Sequence, residues 1–231
     1  MYLYLLLNLA SISIPFAYSF EKRMHFIKWW KEVFLSITIT ALLFIIWDII
    51  FTKNGVWGFN EAYLVGVTIV NLPIEEWLFF ICIPYACVFT HYAFQHFIPN
   101  LKLSVKLVNG MTIGLLVVLA VVVVLNIEKQ YTFYNFLLLI LILVYSLITQ
   151  ERQLQTFYIT FLIILIPFFI VNGILTGSFI IDQVVWYNNA ENLGIRLGTI
   201  PVEDIGYAFS MIFLSIILIE KFKKAFKNET I

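Results

Sequence analysis

The chain has 231 residues, 62% of them hydrophobic and 12% charged, with 14 basic residues balancing 14 acidic ones. This lies far from the balance of a soluble domain and excludes both a basic field that would gather nucleic acid and an acidic solvating tail. An integral membrane protein is expected, with length for a single membrane domain over 1–231 and none to spare for a soluble one.

Apolar runs follow one another at about residues 2–20, 33–51, 77–97, 107–127, 131–148, 157–176 and 201–220. Each approaches the ~20 residues that cross ~30 Å of hydrocarbon, where only a helix satisfies its own backbone. The expected fold class is therefore all-α: a polytopic membrane protein with seven transmembrane helices. The first run has no basic residue before it and is followed by Glu21, Lys22 and Arg23, so it is expected to be a permanent helix and not a cleaved leader. Cys82 and Cys87 lie five apart in the third run, which fits neither a CxxC pair nor a disulfide framework. Both are expected as apolar filler.

Basic residues set the orientation. Of the 14, only Lys53, Lys129 and Arg196 fall on the side where the chain starts, and the other 11 fall opposite. The positive-inside bias predicts an N-terminus outside and a cytoplasmic C-terminus, in the cell membrane. The loops between spans 2 and 3 and between spans 6 and 7 are then extracytoplasmic.

A shift of 128 residues lays "LPIEE" (72–76) on "IPVED" (200–204), pairing Pro73 with Pro201, Glu75 with Glu203 and Glu76 with Asp204. The same shift places Gly66 on Gly194 and Phe59 on Tyr187, and lays spans 1, 2 and 3 on spans 5, 6 and 7. The expected organisation is two parallel three-helix repeats, 1–97 and 131–221, joined by a connecting helix at 107–127. Such repeats put both acid pairs on one side of the membrane, a known route to a central site.

The motif admits two readings. Proline suits the first position of a helix and acids suit its first turn, so Glu75 and Glu203 can be helix caps. Depth favours function: after Asp204 only residues 205–219 are uncharged, too few for a ~20-residue crossing, which draws the acids toward the hydrocarbon edge. Burial strengthens a carboxyl's hold on its proton and a helix N-terminus weakens it, so neighbouring acids can be set to different protonation states. The loops add candidates. "AYLVGVTIVNL" (62–72) is too short to span and is expected as an interfacial or re-entrant segment. Residues 179–201 mix Asp182, Asn188, Asn189, Glu191, Asn192 and Arg196 with aromatics. Arg196 either pairs with the acids or snorkels to water. Trp57, Trp186 and Tyr187 are either interfacial belt residues or a group shielding a cation with their π faces. Asp48, near the end of span 2, is expected as a site residue or partner of the acids, and Phe59 and Glu61 as further lining.

The duplicated "PIEE" and "PVED" elements, the "WYN" loop at 186–188 and the two fused repeats resemble the integral-membrane carotenoid, or lycopene, cyclases. The resemblance covers nearly the whole chain. It implies cyclisation of the linear ψ ends of lycopene, a lipid-dissolved substrate, to β-ionone rings, giving β- or γ-carotene with no net redox change and no cofactor or metal. It also implies catalysis by Glu75, Glu76, Glu203 and Asp204, with Glu75 or Glu203 expected to donate a proton and Glu76 or Asp204 to stay ionised. Asp48, Trp57, Phe59, Glu61, Trp186, Tyr187, Asn188, Glu191 and Arg196 are the expected substrate-binding set. No G-x-G-x-x-G follows a strand, so the dinucleotide domain of flavin-dependent cyclases is missing. His25, His91 and His96 are too few for a di-iron oxygenase, and no lysine sits mid-span 7 for a retinal Schiff base. Two alternatives stay open: a carotenoid hydratase of similar fold, and a transporter or channel whose duplicated acids line an ion path.

Overall fold

A computed structural model describes residues 2–149 and 152–228. They form seven α-helices: α1 (Leu3–Tyr18), α2 (Trp30–Lys53), α3 (Ile74–Phe97), α4 (Val105–Leu125), α5 (Gln130–Ile148), α6 (Gln153–Leu175) and α7 (Glu203–Asn228). Six are long and apolar enough to cross a membrane. The all-α, multi-pass architecture expected from the apolar runs is present. The exception in length is α1, whose 16 residues reach only ~24 Å at 1.5 Å per residue.

Three short strand pairs occupy the loops: β1 (Trp57–Phe59) with β4 (Val185–Tyr187), β2 (Thr68–Ile69) with β3 (Leu72–Pro73), and β5 (Arg196–Leu197) with β6 (Ile200–Pro201), all antiparallel. The stretch 62–72 thus folds as a 3₁₀ turn, Glu61–Tyr63, followed by the β2–β3 hairpin. A hairpin meets the backbone needs of a segment too short to span, using turn chemistry that hydropathy alone does not register.

The helices and strands gather into two compact units, which do not coincide with the two sequence repeats. The first unit comprises Met1–Thr52, Glu61–Asn100 and Met211–Ile231. Here α1 packs along α3, and the Phe26 ring meets Tyr85, Phe89 and Tyr92 at 5.3–6.0 Å. The distal half of α7 is held at its end by Lys223, whose amine lies 3.9 Å from the Trp29 ring centre and 3.8 Å from that of Tyr92 and bridges to Glu220 at 3.0 Å. A charge on an apolar helix is tolerated because ring faces and a carboxylate replace its water.

The second unit comprises Lys53–Asn60 and Leu101–Ser210. In it α4 packs on α5 and α6, and Thr112 and Tyr158 share a hydrogen bond of 2.8 Å between α4 and α6. Phe157, Phe161 and Phe209 form a ring cluster with centroids 4.9–5.5 Å apart. Gly206 lets α7 approach α5, since a Cβ there would sit 3.0 Å from the Phe136 ring.

The two hairpins are copies at an offset of 128 down to their backbone. Gly66 and Gly194 both take positive φ, +91° and +70°, which accounts for the paired glycines. The first residue of each two-residue turn does likewise: Gly198 at +65°, but Val70 at +61° in the first copy. A β-branched residue is strained there, and glycine is not. Open space surrounds the position of a Cβ on Gly198, so Gly198→Val imposes backbone strain without a clash. It is expected to lower stability by about 1–2 kcal/mol, and Val70→Gly to raise it by a smaller amount, since glycine also loosens the unfolded chain. Thermal melts of the detergent-solubilised protein measure both.

Candidate functional site

Each hairpin leads straight into a helix whose first turn carries the duplicated acids: Glu75 and Glu76 in α3, Glu203 and Asp204 in α7. Pro73 is the N-cap of α3, at φ −64° and ψ 150°, one residue outside the helix. The four carboxyl side chains are 0–7% exposed. Such burial is costly unless donors are supplied, and two sources supply them in both repeats.

The first source is the opening helix of each repeat, which presents a tyrosine and, four residues on, an asparagine on the same face. In the first unit Tyr4 Oη donates to Glu76 Oε2 at 2.5 Å, and Asn8 Nδ2 donates to the backbone oxygen of Glu75 at 2.8 Å. In the second unit Tyr131 Oη donates to Asp204 Oδ1 at 2.5 Å, and Asn135 Nδ2 donates to the backbone oxygen of Glu203 at 2.6 Å. The second source is the loop leading into each hairpin. The Val65 N–H donates to Glu75 Oε1 at 2.5 Å, and the Leu193 N–H to Glu203 Oε1 at 2.7 Å. Glu75 and Glu203 therefore tie the preceding loop to the helix start. The remaining oxygen, Oε2, of each is buried without a hydrogen-bond partner.

Beyond this shared frame the two clusters differ. In the second unit Asp204 Oδ2 also accepts from Asn172 Nδ2 and from Tyr187 Oη, both at 3.0 Å, and Thr132 Oγ1 donates to Glu203 Oε1 at 2.6 Å. In the first unit a further acid, Asp48 on α2, is buried as well, 1% exposed. Thr52 Oγ1 donates to Asp48 Oδ1 at 3.1 Å.

The remaining candidate residues divide. Trp57, 6% exposed, sits edge-on to Tyr131 (5.1 Å), Tyr187 (6.1 Å) and Tyr207 (6.4 Å), and Tyr131 and Tyr187 both donate to Asp204. Trp186 is 38% exposed and its indole lies over Gly58, where any Cβ would run into the ring. Phe59 pairs with Val185 in the β1–β4 ladder. Asn188 caps the following 3₁₀ turn by accepting from the Ala190 N–H, and Glu191 Oε2 accepts from the Gln130 N–H at the start of α5. Arg196 donates to the Thr199 carbonyl and to Asn189 Oδ1, and its hydrogen bonds go to the loop. Glu61 is exposed in its 3₁₀ turn in the first unit. Among the described residues no group of three His, Cys, Asp or Glu side chains is arranged to hold a metal ion.

Sequence reasoning missed Tyr4, Asn8, Tyr131, Asn135, Thr132 and Asn172. A usable signal was present: "YLLLN" (4–8) and "YTFYN" (131–135) share tyrosine and asparagine at i and i+4, but at an offset of 127. A fixed shift of 128 slides one past the other.

A family model described as "Lycopene cyclase" matches residues 1–94 and 128–222. These two segments contain both acid clusters and their hairpins, and α4 lies between them. No curated protein and no solved structure matches the chain.

Tyr131→Phe removes a donor from a buried carboxyl and is expected to cost about 2 kcal/mol. Tyr134→Phe, at a 51% exposed position on the same helix, is expected to change stability by less than ~0.5 kcal/mol. Melting of the two variants in detergent tests the difference.

Proposed function

Given that the chain belongs to the lycopene cyclase family, we propose that it closes the ψ ends of lycopene into β-ionone rings by acid–base catalysis, without redox chemistry. The observation carrying this reading is the duplicated, buried acid cluster set at a helix start and supplied with donors by Tyr-x-x-x-Asn and a loop amide. Ring closure needs one carboxyl to protonate the terminal alkene, surroundings that tolerate a tertiary carbocation, and a carboxylate to take a proton from the ring. The motif acids Glu75, Glu76, Glu203 and Asp204 supply the carboxyls. Trp57, Tyr131, Tyr187 and Tyr207 present aromatic rings beside Asp204, and such rings stabilise positive charge through their π faces.

Lycopene is dissolved in the bilayer and reaches a protein built of membrane helices without leaving it. On this reading the chain is one membrane domain of two parallel repeats in the cell membrane. The crowding of basic residues toward one set of loops supports an N-terminus outside and a C-terminus in the cytoplasm.

The chain expressed in a lycopene-accumulating bacterium is expected to yield cyclised carotenoid, read by chromatography of the pigments. Glu76→Gln and Asp204→Asn are each expected to lower turnover by about 100-fold or more, the usual worth of a positioned acid or base. Unchanged lycopene from well-expressed protein defeats the proposal, and a hydroxylated acyclic product replaces it with hydration.

A further inference from the structure

Among the described residues the two most exposed large apolar side chains are on a loop and not on a helix: Phe179 at 98% and Ile181 at 96%. They stand in the second unit between α6 and β4, on a tip whose base is fixed. The Ser178 N–H donates to the Gly173 carbonyl at 2.7 Å and the Gly177 N–H to that of Ile174 at 3.1 Å, so the chain folds back on the last turn of α6. Ser178 Oγ shares a hydrogen bond of 2.8 Å with Thr199 Oγ1. On the far side of the tip the Val184 N–H donates to the Leu175 carbonyl at 2.8 Å, and Val184 is fully buried. Between these anchors Phe179 takes φ +66°, a conformation unfavourable for an aromatic residue, and its ring is left almost free of protein contact.

The shared frame of the repeats does not demand this tip. At the offset of 128 Phe179 answers to Phe51, 4% exposed within α2, and Ile181 and Asp182 answer to Lys53 and Asn54. In the first repeat the helix runs on to Lys53. In the second, α6 stops at Leu175 and Gly177, at φ +111°, turns the chain out of the helix.

What surrounds the tip follows from its height. With 23 residues α6 reaches ~35 Å, a little more than the ~30 Å of hydrocarbon. Leu162, Ile166 and Ile170, spaced four apart and 59–65% exposed, form its outward stripe. Because Ser178 is tied back to Gly173, Phe179 leaves the chain at the level of the last turn of α6 and not beyond it. Two apolar side chains exposed at that level, followed at once by the exposed Asp182 and Gln183, have the composition of a segment lying where headgroups meet acyl chains.

We propose that residues 178–183 form a wedge that inserts Phe179 and Ile181 into the bilayer at the headgroup–acyl boundary, with the polar side chain of Asp182 limiting the depth. The partner of this surface is lipid and not another protein. Asn172, one turn before the end of α6, donates to Asp204 at 3.0 Å, so the wedge also sets the height of the second acid cluster against the bilayer. The inference rests on the helices crossing a membrane and not on the cyclase reading, so neither falls with the other.

Two measurements on the full chain in phosphatidylcholine vesicles test it, both without substrate. In a background of Cys82→Ala and Cys87→Ala, Phe179→Cys and Ile181→Cys each carry an environment-sensitive fluorophore. Loss of its emission to a lipid bearing a nitroxide high on the acyl chain is expected, with little loss to aqueous iodide. Quenching by iodide alone puts the tip in water and overturns the proposal. Protection from both quenchers means that protein covers the tip, and overturns it as well. The second measurement needs no substitution: a phosphatidylcholine with a photoreactive diazirine near the head of its acyl chain is expected to label the unmodified protein within 178–183, read by mass spectrometry of its peptides. Label found on the helices and absent from that segment overturns the wedge.

Discussion

A carboxyl group taken out of water must be given hydrogen bonds, and the local architecture of each repeat is organised around that demand. The acids stand at the first turns of α3 and α7, where free N–H groups and the helix dipole favour negative charge, but those N–H groups do not serve Glu75 and Glu203. Glu203 accepts from Thr132, and both accept from the chain just upstream, through the amides of Val65 and Leu193. Each such bond fixes where the hairpin sits over its helix. The Tyr-x-x-x-Asn face of α1 or α5 fixes the opening helix against the same turn. A bond of this kind contributes ~0.5–1.5 kcal/mol, and losing it leaves a buried polar group unsatisfied, which costs ~1–3 kcal/mol. Function and fold therefore rely on the same atoms.

The shared frame and the divergent surroundings answer to different constraints. The hairpins, the glycines at positive φ, the loop amides and the tyrosine–asparagine pair recur because any acid placed at that helix start needs them. Positions on the second helix of each repeat are free of that demand and differ between the copies. Phe44 and Asp48 stand on α2 where Asn172 and Thr176 stand on and just beyond α6. A change from amide to phenyl, or from hydroxyl to carboxyl, alters which charge state the neighbouring acid can hold without moving the backbone.

Much of this was legible in the sequence. The spans were, because hydrocarbon leaves a backbone no choice but a helix. The acid pairs, Gly66 and Gly194 were, because hairpin and helix start keep one register across the repeats. Tyr4 and Asn8 were not, because the opening helices are offset by 127 where the hairpins are offset by 128, and one residue of slippage turns a helix face by ~100°. The β1–β4 pairing was hidden for another reason. It joins residues 57–59 to residues 185–187, and a contact at that separation leaves no local period in either strand. The place of Trp57 beside Tyr131 and Tyr187 follows from that pairing alone.

That same strand pair shows what fusing two repeats into one chain permits. Trp57, Gly58 and Phe59 are the repeat equivalents of Val185, Trp186 and Tyr187, and the antiparallel register centres on Gly58 opposite Trp186. The central pair thus joins equivalent residues, and the flanking pairs exchange partners across a local pseudo-twofold axis. If both copies were identical, the central pair would be two glycines with no ring to cover the strand, or two tryptophans with no space to hold both. With a Cβ at position 58 the Trp186 indole could not lie where it does, so the pair works only as an unlike pair. A single gene holding both copies can fix glycine in one and tryptophan in the other. The freedom that solves this packing problem is the freedom that the acid clusters use at positions 44, 48 and 59 and at 172, 176 and 187, where the two halves have ceased to be copies in their chemistry while remaining copies in their backbone.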